Sequence, residues 1–188
     1  MIRGAWKLGY VLDHHTVSSE FLGHDEFGNP RFDTRRTELG ELVYQLKWHR
    51  NMNALETLCG ICARFVRGWR INVDVIIPVP PTRSRRDQPL FQLARCLGER
   101  LSLRVLEDSV RSRNVRELKR VFDYEERAKL LEGAHSVRDE SLRGKRVLVL
   151  DDLYRSGATL NAVTRVLYDE GGCSEVYVLA VTRTRALR

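Results

Sequence analysis

VLVLDDLYRSGATL, residues 147–160, is the stretch from which the rest of the chain can be read. Its first four residues, Val147 to Leu150, are all apolar, the habit of a strand buried on both faces of a parallel sheet covered by helices. Asp151 and Asp152 follow at once, and open α/β sheets bind ligands outside the carboxyl ends of their strands. The two acids are therefore expected at a ligand site, where the strand ends. Tyr154 to Thr159 bring hydroxyls, a glycine and a small residue ahead of a run in which Leu160, Val163 and Leu167 share one helix face. Gly171 and Gly172 then stop that helix.

The loop thus leads into a helix N-terminus, whose free N–H groups and positive dipole end bind phosphate. Gly157 permits close approach of the backbone, and Ser156 and Thr159 add hydroxyl donors. A ligand with a phosphate at one end and a diol nearby satisfies both halves, as ribose 5-phosphate does. On these residues, Val147 to Thr159 resembles the phosphoribosyltransferase signature. In that signature a hydrophobic strand, two acids and a threonine- and glycine-rich loop hold phosphoribosyl pyrophosphate (PRPP).

Other readings of the same residues fare less well. An acidic turn after a buried strand is more often a solvated loop than a site, but the phosphate-ready loop behind it shifts that balance. Receiver domains also carry a strand ending in two aspartates, yet theirs stands near the domain start and this one comes late in 188 residues. Neither GxxxxGK[ST] nor GxGxxG is present, so P-loop and dinucleotide-binding readings fail.

The 188 residues suffice for one domain with a full core and a modest extension. The mixture of apolar and charged residues is that of a soluble globular protein. No membrane segment is legible, and MIRGAWKLGYVLDHH lacks the long apolar core of a signal peptide, so a cytoplasmic protein is expected. The net charge of +7 favours anionic ligands. It is concentrated at Arg83, Arg85 and Arg86, and again between Arg111 and Arg120, where five of ten residues are basic.

Residues 1–38 are rich in polar residues, with short strands expected around a turn at Phe27-Gly28-Asn29-Pro30. His14, His15 and His24 lack regular ligand spacing and read as surface residues of a hairpin rather than a metal site. From Thr37 a helical stripe runs through Leu39, Leu42, Val43 and Leu46 to Lys47-Trp48-His49, and a second run holds Leu55, Leu58, Cys59, Cys62 and Phe65. On a helix the CxxC of Cys59 and Cys62 places two small hydrophobes on one face, so buried free thiols are expected. Val73 to Ile77 forms the next strand and leaves the sheet at Pro78-Val79-Pro80-Pro81. A turn with three arginines follows, suited to bidentate contact with a pyrophosphate. Leu90, Phe91, Ala94, Leu97 and Leu101 then mark a helix.

This order resembles the ComF family of phosphoribosyltransferases over roughly residues 39–185. The likeness is carried by YQLKWHR at 44–50, IIPVPPTRSRRDQPLFQLA at 76–94, RVFDYEERAKLLEGAHSV at 120–137 and the acidic loop. There are departures: no glycine in Arg85-Arg86-Asp87-Gln88-Pro89, Lys119 where many members have Gln, Arg155-Ser156 where they have two threonines, and no N-terminal cysteine ribbon. The resemblance implies an α/β, type I phosphoribosyltransferase fold, a mostly parallel sheet flanked by helices. Residues 1–38 would be a short β-rich, hood-like extension and 39–188 the transferase domain.

The resemblance further implies PRPP-dependent transfer of a phosphoribosyl group to an unidentified nitrogenous acceptor, with release of pyrophosphate. Leu153, Tyr154, Arg155, Ser156, Gly157, Ala158 and Thr159 would hold the 5′-phosphate. Pro81, Arg83, Arg85, Arg86 and Lys47 would meet the pyrophosphate. Asp151 and Asp152 would hold ribose hydroxyls and Mg²⁺, the metal through its bound water. Arg116 or Lys119, in a basic lid at 111–120, would close over the leaving group. The rival is a non-catalytic protein that senses PRPP or binds single-stranded DNA in competence, with Trp48, Trp69 and Tyr124 as stacking residues. Weak nucleic-acid binding and a homodimer complete the expected partners, with no membrane among them.

Overall fold

The computed structural model describes residues 1–81, 88–112, 133–137 and 139–185. In chain order the elements are β1 (Leu8–His14), β2 (Thr16–His24), β3 (Pro30–Arg36), α1 (Glu38–His49), α2 (Met52–Trp69) and β4 (Val75–Pro78). They continue with α3 (Pro89–Leu101), β5 (Arg104–Val105), β6 (Val110–Ser112), β7 (His135–Val137), β8 (Arg146–Tyr154), α4 (Ala158–Asp169) and β9 (Glu175–Arg183). No helix among the described residues is long and apolar enough to cross a membrane.

Five strands make the main sheet in the order β1-β9-β8-β4-β5, and every pairing is parallel. Strand alternation divides the core between its two faces. Leu148 and Leu150 join Ile76 and Leu179 on one face, under Leu58 of α2 and Leu93 and Leu97 of α3. Val147 and Val149 join Ile77 and Val178 on the other, under Leu160, Val163 and Leu167 of α4 and the ring of Trp6. This double cover explains the unbroken apolar run at 147–150, where truncation of Leu148 to Ala is expected to cost about 2–5 kcal/mol.

From β4 the chain passes through α3 to β5 on one side, whereas from β8 it passes through α4 to β9 on the other. The winding therefore reverses between β4 and β8, and their carboxyl ends flank a crevice of the kind in which open α/β sheets bind ligands. The prolines after β4 open it. Ladder pairing of β4 with β8 ends at Pro78 and Leu150, and the last bond on that side runs from the Val79 N–H to the Leu150 carbonyl at 2.9 Å.

The N-terminal segment is β-rich, as anticipated, but its first strand is a member of the main sheet rather than an appendage. β1 lies parallel to β9 from Leu8 opposite Tyr177 to His14 opposite Arg183. The reason is the apolar content of LGYVL, which sends Tyr10 and Leu12 to one core cluster and Val11 to the other. Thr16 to Arg36 form a separate antiparallel ribbon, β2–β3, turning through Asp25 to Asn29. The turn is held by Asp25 Oδ1, which accepts from the N–H groups of Phe27 and Asn29.

One expectation about the cysteines is corrected. Cys62 is a buried free thiol, but Cys59 is bonded to Cys96 of α3. Periodicity places both on the buried face of α2; it does not reveal that α3 packs there with its own cysteine 37 residues further on.

Candidate functional site

The acids occupy β8 itself. Against β9 the strand continues to Tyr154 opposite Arg183, so Asp151 and Asp152 are strand residues. Against β4 they lie beyond the last pair and face the crevice. The expected position at the strand's end thus holds on the crevice side only, because the prolines withdraw β4 four residues before β8 finishes.

Three bonds fix the pair. Asp151 Oδ1 accepts the N–H of Asp152 at 2.8 Å. Asp152 Oδ2 accepts from Lys47 Nζ at 2.7 Å. The Asp152 carbonyl accepts from Thr182 Oγ1 at 3.0 Å, and that hydroxyl lies 3.0 Å from His15 Nδ1. The hydroxyl proton is committed to the carbonyl, so the imidazole donates as its Nδ1–H tautomer. Burial, and then the Arg36 charge, lower the His15 pKa in keeping with a neutral ring. Burial first, and the Asp152 charge second, push the Asp151 carboxyl up to about 7.

Lys47 reaches this point because α1 is anchored at its start. Thr37 caps the helix, accepting from the Gly40 N–H at 3.0 Å while its hydroxyl donates to the His14 carbonyl at 2.6 Å. A Cβ on Gly40 would fall 1.9 Å from the His15 carbonyl oxygen, so this close crossing requires glycine. Val43 and Leu46 bury one stripe of the helix and leave Lys47 and Trp48 to the crevice. The Lys47 and Asp152 side chains remain 39% and 23% exposed, and a pair so placed contributes only about 0–1 kcal/mol to stability.

Beyond the acids, a small cavity of about 50 Å³ is lined by Asp151 and by Leu153 to Leu160. Gly157 stands at the N-cap of α4 with φ 79°, and the nearest side-chain acceptor for the helix start is Ser156 Oγ, 3.4 Å from the Ala158 N–H. A Cβ there would meet the Tyr154 hydroxyl at 2.8 Å. Glycine is thus required twice, by conformation and by space. A cavity beside the amides of a helix start has the chemistry to receive a small anion. It opens beside a larger crevice of about 360 Å³, which Arg155 and Thr159 also line. Pro80, Pro81 and Phe91 make its opposite wall.

Asp151, Asp152, Lys47, Pro81 and the loop from Leu153 to Thr159 therefore converge on one edge of the sheet. Arg83, Arg85, Arg86, Arg116 and Lys119 lie outside the described residues, as does Tyr124. Of the other stacking candidates, Trp48 is 63% exposed at the crevice, but Trp69 is packed against Tyr10, Phe65 and Tyr177. His14 and His24 are exposed, and no group of three or more metal-ligating side chains stands together among the described residues. A Mg²⁺ that keeps its waters and takes most of its ligands from a polyphosphate fits two adjacent carboxylates; a metal needing a full protein cage does not. Thr182 and His15 were not legible as neighbours of the acids, since only the register of β1, β9 and β8 brings them there.

Known proteins resemble the chain as follows. No family model matches it. It is 27% identical over 111 residues to the competence protein ComFC of Bacillus subtilis (strain 168), a match that covers 58% of this chain and 45% of that protein. The chain thus spans less than half the length of this relative. An adenine phosphoribosyltransferase from Thermoanaerobacter pseudethanolicus superposes with a TM-score of 0.47 at 15% identity, covering 88% of this chain and 95% of that one. A hypothetical protein from Neisseria gonorrhoeae with bound ppGpp gives 0.47 at 18% identity, over 72% and 70% of the two chains. The chain is thus similar to ComFC over part of its length, and its parallel sheet reverses its winding beside the strand that carries the acid pair.

Proposed function

We propose that the protein binds PRPP with Mg²⁺ and transfers its phosphoribosyl group to a nitrogenous acceptor. The observation that carries this reading is the adjacency of the Gly157 cradle and the Asp151-Asp152 pair at the mouth of a crevice large enough for a second reactant. The 5′-phosphate takes the amides and hydroxyls of Leu153 to Thr159, and the ribose diol takes the acids. Lys47, Pro81, Arg83, Arg85 and Arg86 take the pyrophosphate. Bound Mg²⁺ supplies charge neutralisation of the polyphosphate oxygens.

In the reaction the bond from ribosyl C1 to the pyrophosphate oxygen breaks, and the oxygen keeps the electron pair. A bond from C1 to the acceptor nitrogen forms, and that nitrogen gives up its proton to water or to the departing pyrophosphate. Catalysis rests on positioning and on electrostatic stabilisation of the departing anion, with Arg116 or Lys119 as the closing cation. Incubation with labelled PRPP and a metabolite pool tests the proposal: a new phosphoribosyl adduct together with released pyrophosphate is expected. PRPP that stays intact in every pool, under conditions where it binds, overturns transfer.

The competence designation of ComFC favours a second reading, a PRPP-responsive protein that engages single-stranded DNA without turnover. Exposed Trp48 and the +7 charge suit such a role. Binding driven by charge alone is lost steeply with salt. DNA held at ~200 mM salt and not displaced by PRPP would favour this second reading.

A further inference from the structure

We propose that Lys47 is an exchangeable counter-cation for the acid pair, keeping free divalent cations off the carboxylates and giving up Asp152 only when a ligand takes its place. The inference rests on the phosphoribosyl reading of the site for the identity of that ligand. Its basis is geometric. Lys47 Nζ lies 2.7 Å from Asp152 Oδ2, and both residues line the crevice. The two partners are not equally free to move. Asp152 is fixed in β8, with its N–H on Asp151 Oδ1 and its carbonyl on Thr182 Oγ1. Lys47 is a compact charge on a flexible four-carbon stem that springs from the last turn of α1. When the pair separates, the lysine is the partner that swings.

The half-exposed pair is a poor source of stability and an easily broken contact. A ribose diol that donates to both oxygens of Asp152 would compete with Lys47 for Oδ2. Once displaced, the ammonium remains in the crevice, across from Pro80 and Pro81. There it meets the anionic end of the ligand. A single lysine thus blocks a bare cation and welcomes a metal–polyphosphate. Mg²⁺ is then expected to arrive with PRPP rather than ahead of it.

This arrangement predicts effects of opposite sign, which a purely structural lysine would not produce. Mn²⁺ alone, followed by paramagnetic resonance, is titrated into the wild type, Lys47→Met and the double variant Lys47→Met/Asp152→Asn, with thermal melts to establish that each is folded. Lys47→Met is expected to bind Mn²⁺ at least about tenfold more tightly than the wild type, the scale of one lost charge contact near a protein surface. The double variant is expected to lose that gain. PRPP with Mg²⁺, measured by calorimetry, is expected to bind Lys47→Met at least about tenfold more weakly. Unchanged or weaker Mn²⁺ binding by a folded Lys47→Met, or a gain that persists in the double variant, overturns the counter-cation. Failure of the wild type to bind PRPP overturns the phosphoribosyl reading instead, so the two are tested apart.

Discussion

His15 Nδ1 lies 3.0 Å from Thr182 Oγ1, and through that hydroxyl the first residue after β1 is tied to the carbonyl of Asp152. The edge strand therefore holds the acid pair in place although it contributes nothing to the crevice. Thr182→Val keeps the shape of the side chain and removes the hydroxyl, leaving the half-buried imidazole N–H without its acceptor and the Asp152 carbonyl without its donor. A buried group left unpaired costs about 1–3 kcal/mol. Urea unfolding of Thr182→Val is expected to show a loss of that size, accompanied by weaker PRPP binding. Wild-type stability in this variant would mean that the relay supports nothing.

The raised Asp151 carboxyl has consequences for pH. Its ordinary value is 3.8 and its value in the folded chain is about 7, so the folded state holds the proton more tightly between those limits. Stability contributed by this group is complete below 3.8 and is lost as pH rises through about 7. Ligand hydroxyls and metal-bound water donate to the ionised carboxylate, so binding releases the proton. Affinity for PRPP with Mg²⁺ is expected to tighten between about pH 6 and 8, and the calorimetric enthalpy at pH 7 to vary with the buffer's ionisation enthalpy. Asp151→Asn should reduce both dependences to those that the ligand's own phosphates produce.

In the proposed complex Gly157 lies at the phosphate end. Alanine there meets a left-handed φ of 79° and the Tyr154 hydroxyl 2.8 Å from its Cβ. Such a conformation costs a non-glycine residue about 1–3 kcal/mol. Relief of that strain would shift the loop and close the cradle. Ribose 5-phosphate binding is expected to fall at least about tenfold in Gly157→Ala, whereas binding of free pyrophosphate should change little. Equal losses for both ligands would show that the cradle does not select the phosphate.

Much of this was legible in the sequence for physical reasons. The apolar run at 147–150 is buried on both faces of a covered parallel sheet, and the proline run ends the β4 ladder at Pro78, one residue later than the sequence suggests. The glycine before Leu160 announced a helix start that a ligand would share. Pairing across the chain was not legible. Nothing in LGYVL says that β1 will lie beside β9, and on that register depends the contact of His15 with Thr182. The Cys59–Cys96 bond was hidden likewise, since helix periodicity gives a face but not its partner. Lys47 was legible only through family resemblance; its 2.7 Å contact with Asp152 spans 105 residues.

The last prediction separates a working site from an inherited fold. Asp152→Asn keeps the side chain's volume and the carbonyl bond to Thr182, and it gives up the charge that Lys47 and a ribose diol both use. The Lys47 pair is half-exposed, so the melting midpoint should move by no more than the equivalent of about 1 kcal/mol. The ligand loses charge-assisted hydrogen bonds of about 1.5–3 kcal/mol, so its affinity should fall at least about tenfold. Arg155, which lines both the cradle and the crevice, is expected to assist the anion, and Arg155→Ala should weaken PRPP binding by a similar factor. Calorimetric titration of the three proteins with PRPP and Mg²⁺ decides the matter. An Asp152→Asn variant that binds as tightly as the wild type would make the acid pair a structural relic of the fold and remove the ground for the proposed transfer.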